Sequence, residues 1–160
     1  MNINQVIIDY LLTCEAIYQK PIYFNFAEAK DGICQYMTVT NTRTTEQPFV
    51  DGSVRMIYGL TIVCFLSVSP NPVVKVAGVD NENVSDIQDV QALIDWIEAQ
   101  NEAQNFPNFN DDNYIVEQIR TTTSTPILSQ IDATQSSPLG RYTFTIELTY
   151  IDKTKMIWED

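Results

Sequence analysis

Residues 140–151 carry the pattern that most restricts what this chain can fold into. Tyr142, Phe144, Ile146, Leu148 and Tyr150 alternate with Thr143, Thr145, Glu147, Thr149 and Ile151. Successive side chains of an extended strand point to opposite faces, so a period of two puts the five large apolar groups on one side. Burying them is worth about 8–15 kcal/mol. Fixing roughly ten backbone units costs about 10–20 kcal/mol. The strand cannot stand alone, and the rest of the chain must supply neighbouring strands and a covering helix.

Upstream segments offer both. Ile3, Ile7, Tyr10, Leu11, Cys14, Ile17 and Tyr18 recur at spacings of three and four, which predicts a helix over residues 3–19, stopped by Pro21. Ile22, Phe24 and Phe26 read as one face of a strand, and Lys30-Asp31-Gly32 as a hairpin turn. Alternation resumes over residues 33–45 and dissolves into a threonine-rich tail, followed by a loop over 46–53. Residues 54–68 form the longest apolar segment, with Met56, Tyr58, Leu60, Ile62, Cys64, Leu66 and Val68 on one side and Ile57, Val63 and Phe65 on the other. Fully extended, they span about 50 Å, against about 40 Å for a compact domain of this size. This strand therefore either bends at Gly59 or runs out as one arm of a ribbon with residues 33–45.

Residues 73–79 read as a short extra strand. A second helix is expected over 86–104, with Ser85 and Gln88 as a capping box and Ile87, Val90, Leu93, Ile94 and Ile97 as its buried stripe. Residues 114–121 read as a strand and 122–139 as an irregular polar connection. The expectation is a single α+β domain over residues 1–160. It has one mostly antiparallel (mixed) sheet, two main helices on one face, and the order αβββ(β)αββ.

Several function classes are excluded by what the chain lacks. It has no histidine, which removes His-based acid–base catalysis, Ser-His-Asp and Cys-His nucleophile systems and the common zinc sites. Nucleotide-binding glycine loops, GxSxG and HExxH are also missing, and no cofactor is expected. No apolar run reaches the length of a membrane helix. The opening Met1-Asn2-Ile3-Asn4 lacks the features of a secretory signal, so a soluble protein made inside the cell is expected. Cys14, Cys34 and Cys64 read as buried free thiols.

The net charge of −12 is concentrated in one segment. No basic residue lies between Lys75 and Arg120, whereas ten acidic ones do, from Asp80 to Glu117. Asp80 with Glu82, and Asp111 with Asp112, are oxygen-rich pairs able in principle to take a divalent cation; without EF-hand spacing they read as solvated loops. Asp86, Asp89, Asp95, Glu98 and Glu102 have two readings. They are the wet face of an amphipathic helix, or a field of carboxylates without counter-charges that repels phosphates or imitates them.

The helix 3–19 followed at once by Lys20-Pro21-Ile22-Tyr23-Phe24, the long strand 54–68, the helix 86–104 and the ending Leu139-Gly140-Arg141-Tyr142-Thr143-Phe144-Thr145-Ile146-Glu147-Leu148 together resemble the tail terminator proteins of long-tailed bacteriophages, also termed tail completion, neck or minor capsid proteins. The chain departs from them in an extended threonine-rich loop expected at 40–47 and in the lack of basic residues in its middle. The resemblance implies a non-enzymatic virion protein of the tail or neck, assembled in the host cytoplasm. It would form a homo-oligomeric ring, usually a hexamer, that caps the tail tube, ends its polymerisation and joins tail to head. The implied partners are further copies of the chain, the tail tube protein and the head-completion (stopper) protein, with DNA passing through unbound and no membrane. On this view Tyr36, Val39, Met56 and Tyr58 are candidates for an inter-subunit ribbon. Asp86, Asp89, Asp95, Glu98 and Glu102 are candidates for a surface facing the lumen or a partner. Open alternatives are a stopper or tube subunit, an acidic DNA-mimic inhibitor, and a small enzyme or binding domain using carboxylates alone.

Overall fold

A computed structural model describes residues 2–17, 22–24, 37–68, 82–133 and 138–157. The elements run α1 (Ile3–Leu11), a 3₁₀ turn (Glu15–Ile17), β1 (Ile22–Phe24), β2 (Met37–Pro48), β3 (Val54–Ser67), α2 (Glu82–Glu102), β4 (Tyr114–Thr121), β5 (Ile127–Asp132) and β6 (Leu139–Asp152). The fold is α+β with one mostly antiparallel sheet and both helices on the same side, as the alternation and the two amphipathic stretches require. Its strand order is β1-β2-β3-β6-β4, with β5 also on β6. β4 and β5 share that edge: β4 pairs with residues 146–152 of β6 and β5 with residues 139–143.

β6 lies at the centre, between β3 on one side and β4 with β5 on the other. Phe144, Ile146, Leu148 and Tyr150 are buried with Tyr58, Leu60, Ile62, Cys64 and Leu66 of β3. Ile7 and Leu11 of α1 and Val90, Leu93, Ile94 and Ile97 of α2 close over them. Truncating a fully enclosed side chain such as Ile97 to alanine costs about 2–5 kcal/mol. The helices also meet directly: the Tyr10 and Trp96 rings lie 5.1 Å apart, and the Tyr10 hydroxyl donates to the Asn105 carbonyl at 2.7 Å. The opposite face is polar over much of its area, although Val63 and Leu139 are buried there.

β3 neither leaves the sheet nor slips at Gly59. It stays in register with β6 from Val54↔Asp152 to Ser67↔Leu139. Two strands of 14 residues each, about 46 Å long, match one another and accommodate the length that a compact body would not.

Several boundaries differ from expectation. The helix over 3–19 ends at Leu11. The Thr13 hydroxyl donates to the Tyr10 carbonyl at 2.7 Å, and the Cys14 amide bonds to Leu11 three residues back, tightening the chain into a 3₁₀ turn. β1 and β2 pair in parallel (Ile22↔Met37), so these two segments are not the antiparallel arms of one hairpin. β2 runs on through the threonine-rich tail to Pro48. Ser85 lies inside α2, which already begins at Glu82, so it is no cap. The connection 122–139 contains β5, which makes the order αβββαβββ across the described elements. The strand expected at 73–79 and the turn at 30–32 lie outside the described residues.

Candidate functional site

Two surfaces combine charge with an accessible shape. The first is the acidic helix. Asp95 accepts from the Gln91 side chain at 2.8 Å, and the same Gln91 nitrogen donates to the Ser124 carbonyl at 2.8 Å. Glu98 accepts from both the amide (3.0 Å) and the hydroxyl (2.7 Å) of Thr121, at the end of β4. Asn101 likewise accepts the Ile119 amide at 3.1 Å. Both Ile119 and Thr121 turn these amides away from β6, so two side chains of α2 seal the outer edge of β4. Glu102 is exposed one turn further on. Asp86 and Asp89 lie in the first half of α2, with side chains outside the described residues. The carboxylates predicted to form one uniform wet face therefore split into a strand-capping group and solvated ones.

The second surface is the sheet face opposite the helices. Arg55 forks onto Glu117, its Nε at 2.8 Å and its Nη2 at 3.3 Å, with Glu46 3.9 Å away. Its guanidinium also lies 5.5 Å from the centre of the Phe49 ring. Arg120 grips one oxygen of Glu147 at 2.8 and 3.0 Å. The hydrogen bonds that Arg55 donates to Glu117, followed by the charge of Glu117, push the Arg55 pKa up. An open groove of about 540 Å³ runs along Arg55, Glu117 and Arg120 and reaches Asn101, Gln104 and Phe106 at the end of α2. Each of these carboxylates has a guanidinium neighbour, so the pairs fasten β2, β3, β4 and β6 across the sheet. Glu117 is thereby neutralised by the chain itself, contrary to a segment of wholly unpaired acids. Sequence reasoning missed these pairs because their partners lie up to 62 positions apart.

The ribbon residues divide. Tyr58 is 3% exposed, so its side chain belongs to the chain's own core, whereas Met56 packs against the core and stays partly accessible. Val39 lies in β2 opposite Ile62 with its side chain outside the described residues, and Tyr36 lies outside them altogether. What the ribbon presents instead is its β2 arm, where residues 42–48 are all exposed, on both faces of the strand. β1 pairs only with residues 37–39. The closing loop is firmly held: Asp51 accepts from the Ser53 amide and hydroxyl, which lowers its pKa, and the Ile157 amide donates to the Asp51 carbonyl at 2.7 Å. Gly52 has φ +86°, a conformation that side chains rarely adopt.

Among the described residues no group of three or more Asp, Glu, Cys or His is arranged to hold a metal. Asp111 instead accepts from the Asn113 amide and side chain, forming the turn into β4. Asp80 lies outside the described residues. Cys14 and Cys64 are buried and form no disulfide, and burial raises the Cys14 pKa; Cys34 lies outside the described residues. No described helix is long and apolar enough to cross a membrane. No protein-family model matches the chain, and no curated protein matches it.

Proposed function

We propose that this protein is a ring-forming structural subunit of a tailed bacteriophage, capping the tail tube and joining it to the head. The observation that carries this reading is the β2 arm. Residues 42–48 are exposed on both faces, in an edge strand whose closing loop is pinned by residues 155–157. Arg43 of this arm lies over the Tyr150 ring and pairs with Asp152, while the rest of residues 42–48 stays exposed; such an arm is suited to a neighbour, and a contact between unlike surfaces of identical subunits closes into a ring when the rotation allows. The sequence likeness to tail terminators, carried by the stretches 54–68, 86–104 and 139–148 among others, supports the same reading. The ring would be a hexamer, touching tube protein on one side and stopper on the other. Asp95 and Glu102, with Asp86 and Asp89, would give a surface from which DNA slides away, since like charge repels phosphate.

The acidic-mimic alternative is the weaker one. It needs carboxylates free to meet a basic partner, and Glu98 and Glu117 are already engaged within the chain. Electron microscopy and native mass measurement of the purified protein test the proposal. Rings of the 18.2 kDa subunit are expected, alone or on tube protein. A protein that stays monomeric at high concentration, with and without tube protein, would overturn it.

A further inference from the structure

Two local departures from regular structure build the groove beside Arg55 and Glu117. The first is the bulge in β4, where Glu117 is the extra residue between the pairs Val116↔Tyr150 and Gln118↔Thr149. Neighbours in a regular strand face opposite ways, whereas here Glu117 and Gln118 line the same groove. The second is the end of α2. The Gln104 amide donates to the Asn101 carbonyl and the Asn105 amide to the Gln100 carbonyl, and Gln104 has φ +54°. Helices that end this way usually place glycine at that position. This chain keeps a glutamine there, and its side chain stands in the groove three residues on from Asn101.

The lining offers hydrogen bonds without selecting a charge. Among the described residues the side chains of Gln104 and Gln118 make no hydrogen bond, although Gln118 is half-buried. Asn101 spends its oxygen on the Ile119 amide, which leaves its Nδ2 as a donor. Glu46 and Glu117 balance Arg55 and Arg120, so the lining is neutral. Both guanidiniums are already held by carboxylates, Arg55 by Glu117 and Arg120 by Glu147, and neither is left to single out an anion. The outward amides of Ile119 and Thr121, which an extended peptide would need, are taken by Asn101 and Glu98. Phe106 supplies an aromatic ring beside these amides.

From this combination we propose that the groove binds a neutral carbohydrate. A hydroxyl both donates and accepts, which matches the side-chain amides of Asn101, Gln104 and Gln118. The C–H face of the sugar ring rests on Phe106. The volume of about 540 Å³ falls within the roughly 300–1,000 Å³ of small-molecule sites. So open a groove leaves much of its ligand in water, and a monosaccharide of about a dozen non-hydrogen atoms should bind with a Kd on the order of 1–10 mM. One copy of the chain supplies every residue involved, so sugar binding does not depend on ring assembly.

Saturation-transfer NMR of the full chain tests this, with glucose, galactose and N-acetylglucosamine each titrated to about 50 mM. At least one of them should show saturable transfer. Gln104→Gly removes one amide and gives the φ +54° position the residue that favours it. Binding should fall about fivefold, the loss of one hydrogen bond, while the melting temperature stays level or rises. Phe106→Leu keeps an apolar side chain against the core but removes the flat ring, and should weaken binding at least as much. No saturable transfer from any of the three sugars would overturn the proposal. So would unchanged binding in the Gln104→Gly protein, or inorganic phosphate that binds more tightly than the sugars and displaces them. Rings without sugar binding would leave the ring reading standing and remove this one; sugar binding by a lasting monomer would do the reverse.

Discussion

Glu98 and Glu102 sit one turn apart on α2 and serve different neighbours. Glu98 holds the amide and hydroxyl of Thr121, whereas Glu102 faces solvent. Removing the acceptor leaves the end of β4 uncapped, so Glu98→Ala should cost about 1 kcal/mol and lower the melting temperature by roughly 2–4 °C. Glu102→Ala should stay within about 0.5 kcal/mol. Thermal melts of the two variants side by side decide this; equal shifts would mean that Glu98 is merely another solvated acid. Tyr10 makes a second residue-scale case. Burial pushes its pKa up to about 12 from 10.0, so the fold holds the neutral phenol while the unfolded chain ionises. That contribution is complete below about pH 10 and is lost as pH rises towards about 12. Melting temperature should therefore fall between about pH 10 and 12. Tyr10→Phe should flatten that slope while lowering stability at neutral pH by about 1 kcal/mol through the missing bond to Asn105. Tyr150, raised in the same direction chiefly by burial, should keep some slope in place; an unaltered slope in the variant would refute the assignment.

Among the elements, legibility followed how strongly burial enforces a period. β4, β6 and the stripe Val90, Leu93, Ile94 and Ile97 were readable because one face of each is sealed by the core. β5 was invisible for the opposite reason: exposed along residues 127–131 and bulged at Ser129, it has no regular alternation to read. β2 was cut short because threonine, glutamine and proline resemble a loop once a strand carries no buried face beyond residue 41. α1 was overextended because Cys14 and Ile17 keep the helical spacing of apolar groups even though the backbone has tightened into a 3₁₀ turn. At the candidate site, the acidic stripe of α2 was legible as a face. Which of its members are engaged was not, since Thr121, Ser124 and Ile119 are brought to them only by tertiary structure. The Arg55–Glu117 and Arg120–Glu147 pairs were out of reach on the same ground.

For the whole molecule, the net charge of −12 sets how an occupant of the groove must respond to salt. Such a body repels anions and attracts cations, over about 10 Å at 0.1 M salt and about 3 Å at 1 M. A neutral sugar feels neither force, and the carboxylates and guanidiniums of the groove balance one another. Its Kd should therefore stay within about twofold between about 0.05 M and about 0.5 M sodium chloride. A cationic occupant would loosen several-fold over the same range, and phosphate would tighten as screening lifts the repulsion of the whole body. Saturation transfer at the two salt concentrations separates them. A several-fold change in either direction means that charge selects the occupant, and the carbohydrate assignment fails even where a sugar signal is seen.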